Sequence, residues 1–92
     1  MPGLFSLEIV SPEKVVYKGE VFSLSVPAEF GYLGVLAHHA PLIAYLVRVE
    51  ISFVDNANKN FTYNSKSYGF LEVLKNRATI ILDSTPVQGA TI

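Results

Sequence analysis

The sequence contains 92 residues, of which 50% are hydrophobic and 16% are charged, with a formal net charge of −1 and no cysteine. A chain of this length forms one domain around one core, and a near-neutral charge without a run of basic residues argues against nucleic-acid binding. The absence of cysteine excludes disulfide bonds and thiolate chemistry. Because soluble domains are typically ~25% charged, this chain either buries an unusual share of its surface or offers apolar surface to a partner.

Apolar and polar residues alternate in the first third of the chain, which predicts half-buried strands. The first predicted strand covers residues 4–10. The second covers residues 15–17 and ends at a turn formed by Lys18-Gly19. The third covers residues 22–26 and ends at Pro27, which cannot donate a ladder hydrogen bond.

An uncharged stretch of eighteen residues follows at 30–47. This length alone would suit a membrane helix. However, two glycines, a proline and a histidine pair lie inside the stretch, where a spanning helix needs an unbroken hydrogen-bonded backbone. We therefore predict two short buried strands at 32–36 and 42–47, joined by a stiff corner at His38-His39-Ala40-Pro41.

Alternation resumes in the second half of the chain. The predicted strands there cover residues 47–53, 61–63, 69–74 and 78–83. Turn-forming residues separate them, in an exposed loop at 55–59 and a two-residue turn at Lys75-Asn76. Helical periodicity does not extend over ten residues anywhere. The sequence thus predicts an all-β fold, a two-sheet antiparallel β-sandwich at residues 1–84 followed by a short C-terminal tail at 85–92.

The pattern of titratable residues does not indicate a catalytic site or a metal site. His38 and His39 are neighbours, so in an extended strand their rings point to opposite faces and cannot bind one metal ion. The eight carboxylates fall mostly on outward strand positions or in turns. We predict no catalytic residue, no cofactor and no metal. The eleven Phe and Tyr residues keep a carbohydrate- or peptide-binding β-module open as the alternative to a protein-binding domain.

Three blocks of the sequence carry a family pattern. They are Leu7-x-Ile9-Val10-Ser11-Pro12-Glu13, then Glu29-x-Gly31-x-Leu33-Gly34-Val35-Leu36-x-x-His39-Ala40-Pro41-Leu42, and last Gly69-Phe70-Leu71-Glu72-Val73 with Thr79-Ile80-Ile81-Leu82-Asp83. In order and spacing they resemble the N-terminal β-sandwich domain of the ε subunit of F-type ATP synthases, which is called δ in mitochondria. The chain departs from the pattern at Ala37-His38, where the family usually has Pro-Gly or Pro-Asn, and at Tyr68, where it has a glycine.

The resemblance implies a non-catalytic subunit of the central stalk, or rotor, that docks on the γ subunit and the c-ring and couples ion flow to ATP synthesis. The implied location is peripheral, on the cytoplasmic face of the bacterial inner membrane as part of the ATP synthase. The residues that the resemblance places against γ are Ser11, His39, Ala40, Pro41, Leu42 and Ala44. Those that it places against the c-ring are Ala28, Glu29, Phe30, Gly31 and Tyr32.

Several finer expectations follow from the resemblance. His39 either fixes the corner by a local hydrogen bond or faces γ, and the two roles are compatible. At least one of Phe30 and Tyr32 should be exposed, and a charge at Ala44 should weaken γ binding without unfolding the domain. Family members usually continue into two C-terminal helices, for which residues 84–92 leave no room. We therefore expect no ATP binding and no other small-molecule ligand.

Overall fold

The computed structural model describes residues 3–29, 31–65 and 68–89, and within them it contains strands but no helix. The strands are β1 (Phe5–Val10), β2 (Val15–Ala28), β3 (Gly31–Leu36), β4 (Leu42–Leu46), β5 (Val49–Asp55), β6 (Asn60–Ser65), β7 (Gly69–Leu74), β8 (Arg77–Leu82) and β9 (Val87–Gln88). The predicted all-β fold is confirmed. The uncharged stretch forms β3 and β4 as predicted, and the described residues include no helix that could cross a membrane. The predicted burial of these two strands is wrong, because only Val35 and Leu46 are buried in them and each strand has one face outside the core.

Two sheets share the long strand β2. Its first half pairs with β1, and its second half pairs with β3 and β5. The first sheet therefore runs β4-β7-β8-β1-β2, and the second contains β3, β2, β5, β6 and β9. The strand pairs of the described residues are antiparallel as predicted, except that β1 and β8 pair in parallel, which corrects the prediction at this one place. Buried side chains of both sheets fill the space between them and form one core.

The continuity of β2 corrects two predictions. The expected turn at Lys18-Gly19 is absent, since Gly19 lies inside the strand opposite Leu7. A Cβ at Gly19 would lie 2.9 Å from the Tyr17 hydroxyl, so the glycine makes room for that ring. Pro27 does not end the strand either, because it is buried and pairs with Tyr32 at the end of the β2–β3 ladder.

Other sequence patterns match the structure closely. Phe5, Leu7 and Ile9 are buried on one face of β1, as their alternation predicts. Val49, Ile51 and Phe53 do the same in β5. The predicted loop at 55–59 and the turn at Lys75-Asn76 are both confirmed, and Lys75 and Asn76 have φ angles of 51° and 60°. Two successive positive φ values are typical of a two-residue turn that follows the twist of the strands.

An aromatic cluster closes one part of the core. The Phe53 ring stacks on Phe61 at a centroid distance of 5.1 Å and contacts Tyr17 at 4.5 Å and Tyr63 at 6.1 Å. Burial raises the pKa of the Tyr17 phenol above its ordinary value of 10.0, and the nearby charge of Asp55 raises it further. Burial also raises the pKa of Tyr63. Both phenols are therefore harder to ionise in the folded domain than in the unfolded chain.

Because folding raises these two pKa values, the free energy of unfolding should fall as the pH becomes alkaline. The contribution from neutral Tyr17 is fully present below about pH 10, the unfolded pKa, and is lost as pH rises through the higher folded pKa. Tyr17→Phe removes the ionisable group, so we expect urea midpoints of this variant to fall less between pH 8 and pH 11 than those of the parent chain. An equal fall in both proteins would contradict the assignment of this pH dependence to Tyr17.

Candidate docking surfaces

The corner between β3 and β4 carries the chain from the second sheet to the first, since β3 pairs with β2 and β4 pairs with β7. The His39 N–H donates to the Leu36 carbonyl oxygen at 3.2 Å. The Nδ1 atom of His39 lies 2.7 Å from the Ala40 carbonyl oxygen. The local hydrogen bond expected of His39 is thus present. Ala40 and Pro41 are exposed and available to a partner.

His38 has a φ angle of 63°, in the left-handed region that glycine and asparagine favour. Its side chain is exposed, so its substitution removes little packing. The family pattern usually has Gly or Asn at the position of His38. Either residue would adopt this backbone conformation at a lower cost in free energy than histidine does.

This conformation predicts opposite effects for two substitutions. We expect His38→Gly to keep the free energy of unfolding or raise it by up to about 1 kcal/mol, because relief of backbone strain offsets the greater freedom of the unfolded chain. His38→Val should lower it by about 1–2 kcal/mol, because a β-branched residue resists positive φ. Urea denaturation measures both. A valine variant as stable as the glycine variant would show that the corner is not left-handed at His38.

A continuous apolar row crosses the outer face of the first sheet. Neighbouring strands pair Tyr45 with Phe70, Phe70 with Ile81, Ile81 with Val10, and Val10 with Val15. Tyr45 is 71% exposed, and its ring meets Phe70 edge-on at 5.0 Å. Paired residues of adjacent strands point to the same side of a sheet, so the row forms one surface.

Further apolar side chains lie on the same outer side of the sheet, although the Glu72–Thr79 pair separates Leu74 from the row. Ile43 and Leu74 occupy outward positions of β4 and β7, and Tyr68 extends the β7–β8 ladder through its hydrogen bonds with Asp83. Of the ten large hydrophobic side chains exposed in the described residues, six lie on this side of the sheet. We call this surface the apolar face; its residues are Val10, Val15, Ile43, Tyr45, Tyr68, Phe70 and Ile81.

The residues expected against γ lie beside the apolar face. Ser11 follows Val10, and its Oγ atom lies 2.9 Å from the Thr85 hydroxyl. His39, Ala40 and Pro41 lead into β4. Within β4, Leu42 and Ala44 are half-buried on the same side as buried Leu46. A charge at Ala44 would therefore point toward the core, and Tyr45 is the better probe of binding without unfolding.

The sequence contains a signal for the outward apolar residues of β7 and β8. Phe70-Leu71 and Ile80-Ile81 place large apolar residues on both faces of β7 and β8. A strand that is apolar on both faces is typical of a sheet covered on both sides. In this domain the inner side is the core and the outer side is exposed, which indicates a partner surface.

The expected c-ring segment forms the connection between β2 and β3. Phe30 lies outside the described residues. Tyr32 is 61% exposed, which confirms that at least one of the two aromatic residues is exposed. Its hydroxyl donates to the Glu50 carboxylate, and the Arg48 guanidinium lies 3.4 Å from the same hydroxyl and 3.7 Å from Glu50. This polar cluster holds the Tyr32 ring against the start of β5.

The remaining residues of this segment are small or polar. Glu29 and Gly31 are exposed and Ala28 is half-buried at the end of β2. Gly31 has a φ angle of 126°, a conformation that side-chain-bearing residues rarely adopt. The glycine thus allows the turn that presents Tyr32.

An open groove of about 670 Å³ lies on the second sheet. Its outward-facing lining includes Ser23, Ser25, Gly34, Ser52 and Thr62, and the described lining residues carry no charge. The described residues also contain no cluster of three potential metal ligands. The groove therefore offers hydroxyl groups, backbone and the apolar side chains of Leu36 and Val54, but its lining holds no acid–base pair for catalysis.

The family described as ATP synthase, Delta/Epsilon chain, beta-sandwich domain matches residues 4–86. The chain belongs to this family. The delta/epsilon chain relatives include the ATP synthase epsilon chains of Koribacter versatilis, 38% identical over 84 residues, and Protochlamydia amoebophila, 40% identical over 81 residues. These alignments cover 91% and 88% of this chain but 58% and 54% of the relatives. This delta/epsilon domain thus spans just over half the length of the relatives.

Solved structures support the same fold. A mitochondrial ATP synthase from Euglena gracilis, in an assembly that includes the c-ring, contains a chain that matches with a TM-score of 0.81 and 19% identity, over 94% of this chain and 55% of that one. The central stalk and c-ring of the Tetrahymena thermophila mitochondrial ATP synthase contain a match with a TM-score of 0.66 and 14% identity, over 86% of this chain and 63% of the other. At these identities the likeness establishes the β-sandwich fold of the delta/epsilon domain.

Proposed function

We propose that this delta/epsilon domain is a non-catalytic part of the central stalk of an F-type ATP synthase, where it docks on the γ subunit and the c-ring. In that place it helps to couple ion flow to ATP synthesis. The observation that carries the proposal is the apolar face, which lies outside a sandwich whose own core is already complete. A protein without a partner rarely leaves so many large apolar side chains together on one side.

The γ subunit is the partner that we assign to the apolar face. Aromatic residues are enriched in protein interfaces, and the centre of an interface is depleted of charge. Tyr45, Phe70 and Ile81 fit that description, with Glu72 in the next row as a polar border. Ser11 follows the end of β1 and the corner leads into β4, so both border the first sheet, whereas Leu42 and Ala44 point toward the core.

The c-ring is the partner that we assign to the segment at residues 28–32. Tyr32 supplies an exposed aromatic anchor, and the neighbouring Arg48 and Glu50 add polar groups at its edge. Large rigid aromatic side chains often contribute most of the binding energy of an interface. Through these two contacts the domain would belong to the membrane-bound complex, on the cytoplasmic face of the bacterial inner membrane.

Reconstitution tests this function. The tagged full chain is mixed with γ subunit, and separately with a γ–c-ring assembly, each prepared from the source organism without its own ε subunit. We expect γ to co-purify with the chain and the assembly to retain it after washing. A folded chain that binds neither would contradict the proposal, and binding to a carbohydrate array instead would favour the ligand-binding alternative.

A further inference from the structure

Asn76 connects three distant parts of the chain. It lies in the turn between β7 and β8 and is half-buried. Its side-chain Nδ2 donates to the Leu4 carbonyl oxygen at 3.0 Å, and its Oδ1 accepts from the His38 N–H at 2.7 Å. Its backbone carbonyl accepts from the Ser6 N–H at 3.2 Å. One residue thus ties the start of β1 and the β3–β4 corner to this turn.

The two side-chain bonds fix the orientation of the amide. Leu4 offers an acceptor and His38 offers a donor, so only one orientation of the Asn76 amide satisfies both groups. Asn76 itself has a φ angle of 60°, a conformation that asparagine tolerates better than most residues. An asparagine is therefore suited both to the turn and to the two bonds.

The hydrogen bond from the His38 N–H to Asn76 holds the corner at the residue whose backbone is left-handed. His38 has a positive φ angle, and the exposed residues Ala40 and Pro41 follow it directly. β4, which carries Ile43 and Tyr45 of the apolar face, begins at Leu42. The position of the corner backbone therefore influences both the corner surface and the entry into β4.

We propose that Asn76 is a positioning residue for γ binding: its side-chain Oδ1 holds the His38 N–H and so keeps the corner in the conformation that the partner binds. This inference rests on the proposed function. A surface that is already ordered loses less conformational freedom on binding, so loss of the bond weakens affinity even though Asn76 need not contact γ.

Two substitutions at position 76 separate the two side-chain bonds. Asn76→Gly keeps the positive φ and removes both bonds. Asn76→Asp keeps an acceptor for His38 and loses the donor to Leu4. Lys75→Gly is the matched control, because Lys75 lies in the same turn with a φ angle of 51° and is exposed.

The experiment measures two quantities for each variant of the full chain: γ affinity by titration, and hydrogen exchange of the His38 amide by NMR in the absence of γ. We expect Asn76→Gly to weaken γ binding about five- to tenfold, which corresponds to the net contribution of a typical hydrogen bond. It should also speed exchange of the His38 amide. Asn76→Asp and Lys75→Gly should keep most of the affinity and of the amide protection.

The outcomes distinguish this inference from the proposed function. If the parent chain does not bind γ, the proposed function fails and this inference with it. If the parent binds and Asn76→Gly loses His38 protection yet binds equally well, only this inference is overturned. If Asn76→Gly does not fold, the folded Asn76→Asp variant decides, because a clear loss of its affinity would show that the bond to His38 is not what matters.

Discussion

Tyr45→Ser should weaken binding to γ by about 2–3 kcal/mol, or roughly 30- to 150-fold, while the domain stays folded. Tyr45 lies in β4, the edge strand of the first sheet, and is 71% exposed, so a partner can bury its ring. The isolated domain loses only the edge-on contact with Phe70, which contributes about 1 kcal/mol. Titration calorimetry with γ and a urea melt of the chain alone measure the two effects.

Tyr32→Ser is the matched control for this prediction. Tyr32 is a second exposed tyrosine, but it lies in the segment that we assign to the c-ring. We expect this variant to bind γ normally and to be retained less well by the γ–c-ring assembly. If both serine variants weakened γ binding equally, the assignment of two separate surfaces would be wrong.

Phe53→Ala should lower the free energy of unfolding by about 3–5 kcal/mol, the range measured for truncation of a buried aromatic residue. Phe53 is 2% exposed and packs against the rings of Tyr17, Phe61 and Tyr63. Small domains have about 5–15 kcal/mol of stability in total, so this variant should be close to unfolding at room temperature. Urea denaturation followed by circular dichroism gives the value.

Phe61→Ala provides the comparison within the same cluster. Phe61 stacks on Phe53 but is only half-buried, so its truncation removes less apolar area from the interior. We expect a loss clearly smaller than that of Phe53→Ala. Equal losses in the two variants would show that the core does not centre on Phe53 at this end of the sandwich.

The class of fold could be predicted from sequence because the strands that cover the core alternate cleanly. In β1 and β5 the core residues are separated by polar ones, so periodicity alone identifies the inner face. The turn at Lys75-Asn76 was equally clear, because two turn residues separate two apolar runs. These features are local and need no knowledge of the rest of the fold.

The course of β2 could not be predicted from local signals. Gly19 and Pro27 are strong turn indicators, yet both lie inside the strand. Gly19 is needed where the Tyr17 ring comes close, and Pro27 tolerates its pairing with Tyr32 at the end of the ladder. Phe22 lies at a register shift between Val21 and Ser23, so Val21 and Leu24 are both buried and the simple alternation is broken. Each of these depends on a tertiary contact.

The outward face of β4, which we assign to the proposed γ contact, could not be predicted from the sequence for a related reason. β4 is apolar on both faces, so alternation cannot tell that Leu42 and Ala44 point inward while Ile43 and Tyr45 point outward. The inward face of β4 is the one that packs against the other sheet, and this packing is a tertiary contact. The role of Asn76 cannot be predicted from sequence, because its hydrogen-bond partners lie 38 and 72 residues away. Only the assembled sheets bring the turn, the corner and the start of β1 together.

The most direct test of the account is a photo-crosslinking side chain placed at position 45 of the full chain in complex with γ. The matched position is 87, because Val87 is 73% exposed on β9 of the second sheet. The account predicts an efficient crosslink to γ from position 45 and none from position 87. A crosslink to γ from position 87 but not from position 45 would contradict the claim that the apolar face of the first sheet binds γ.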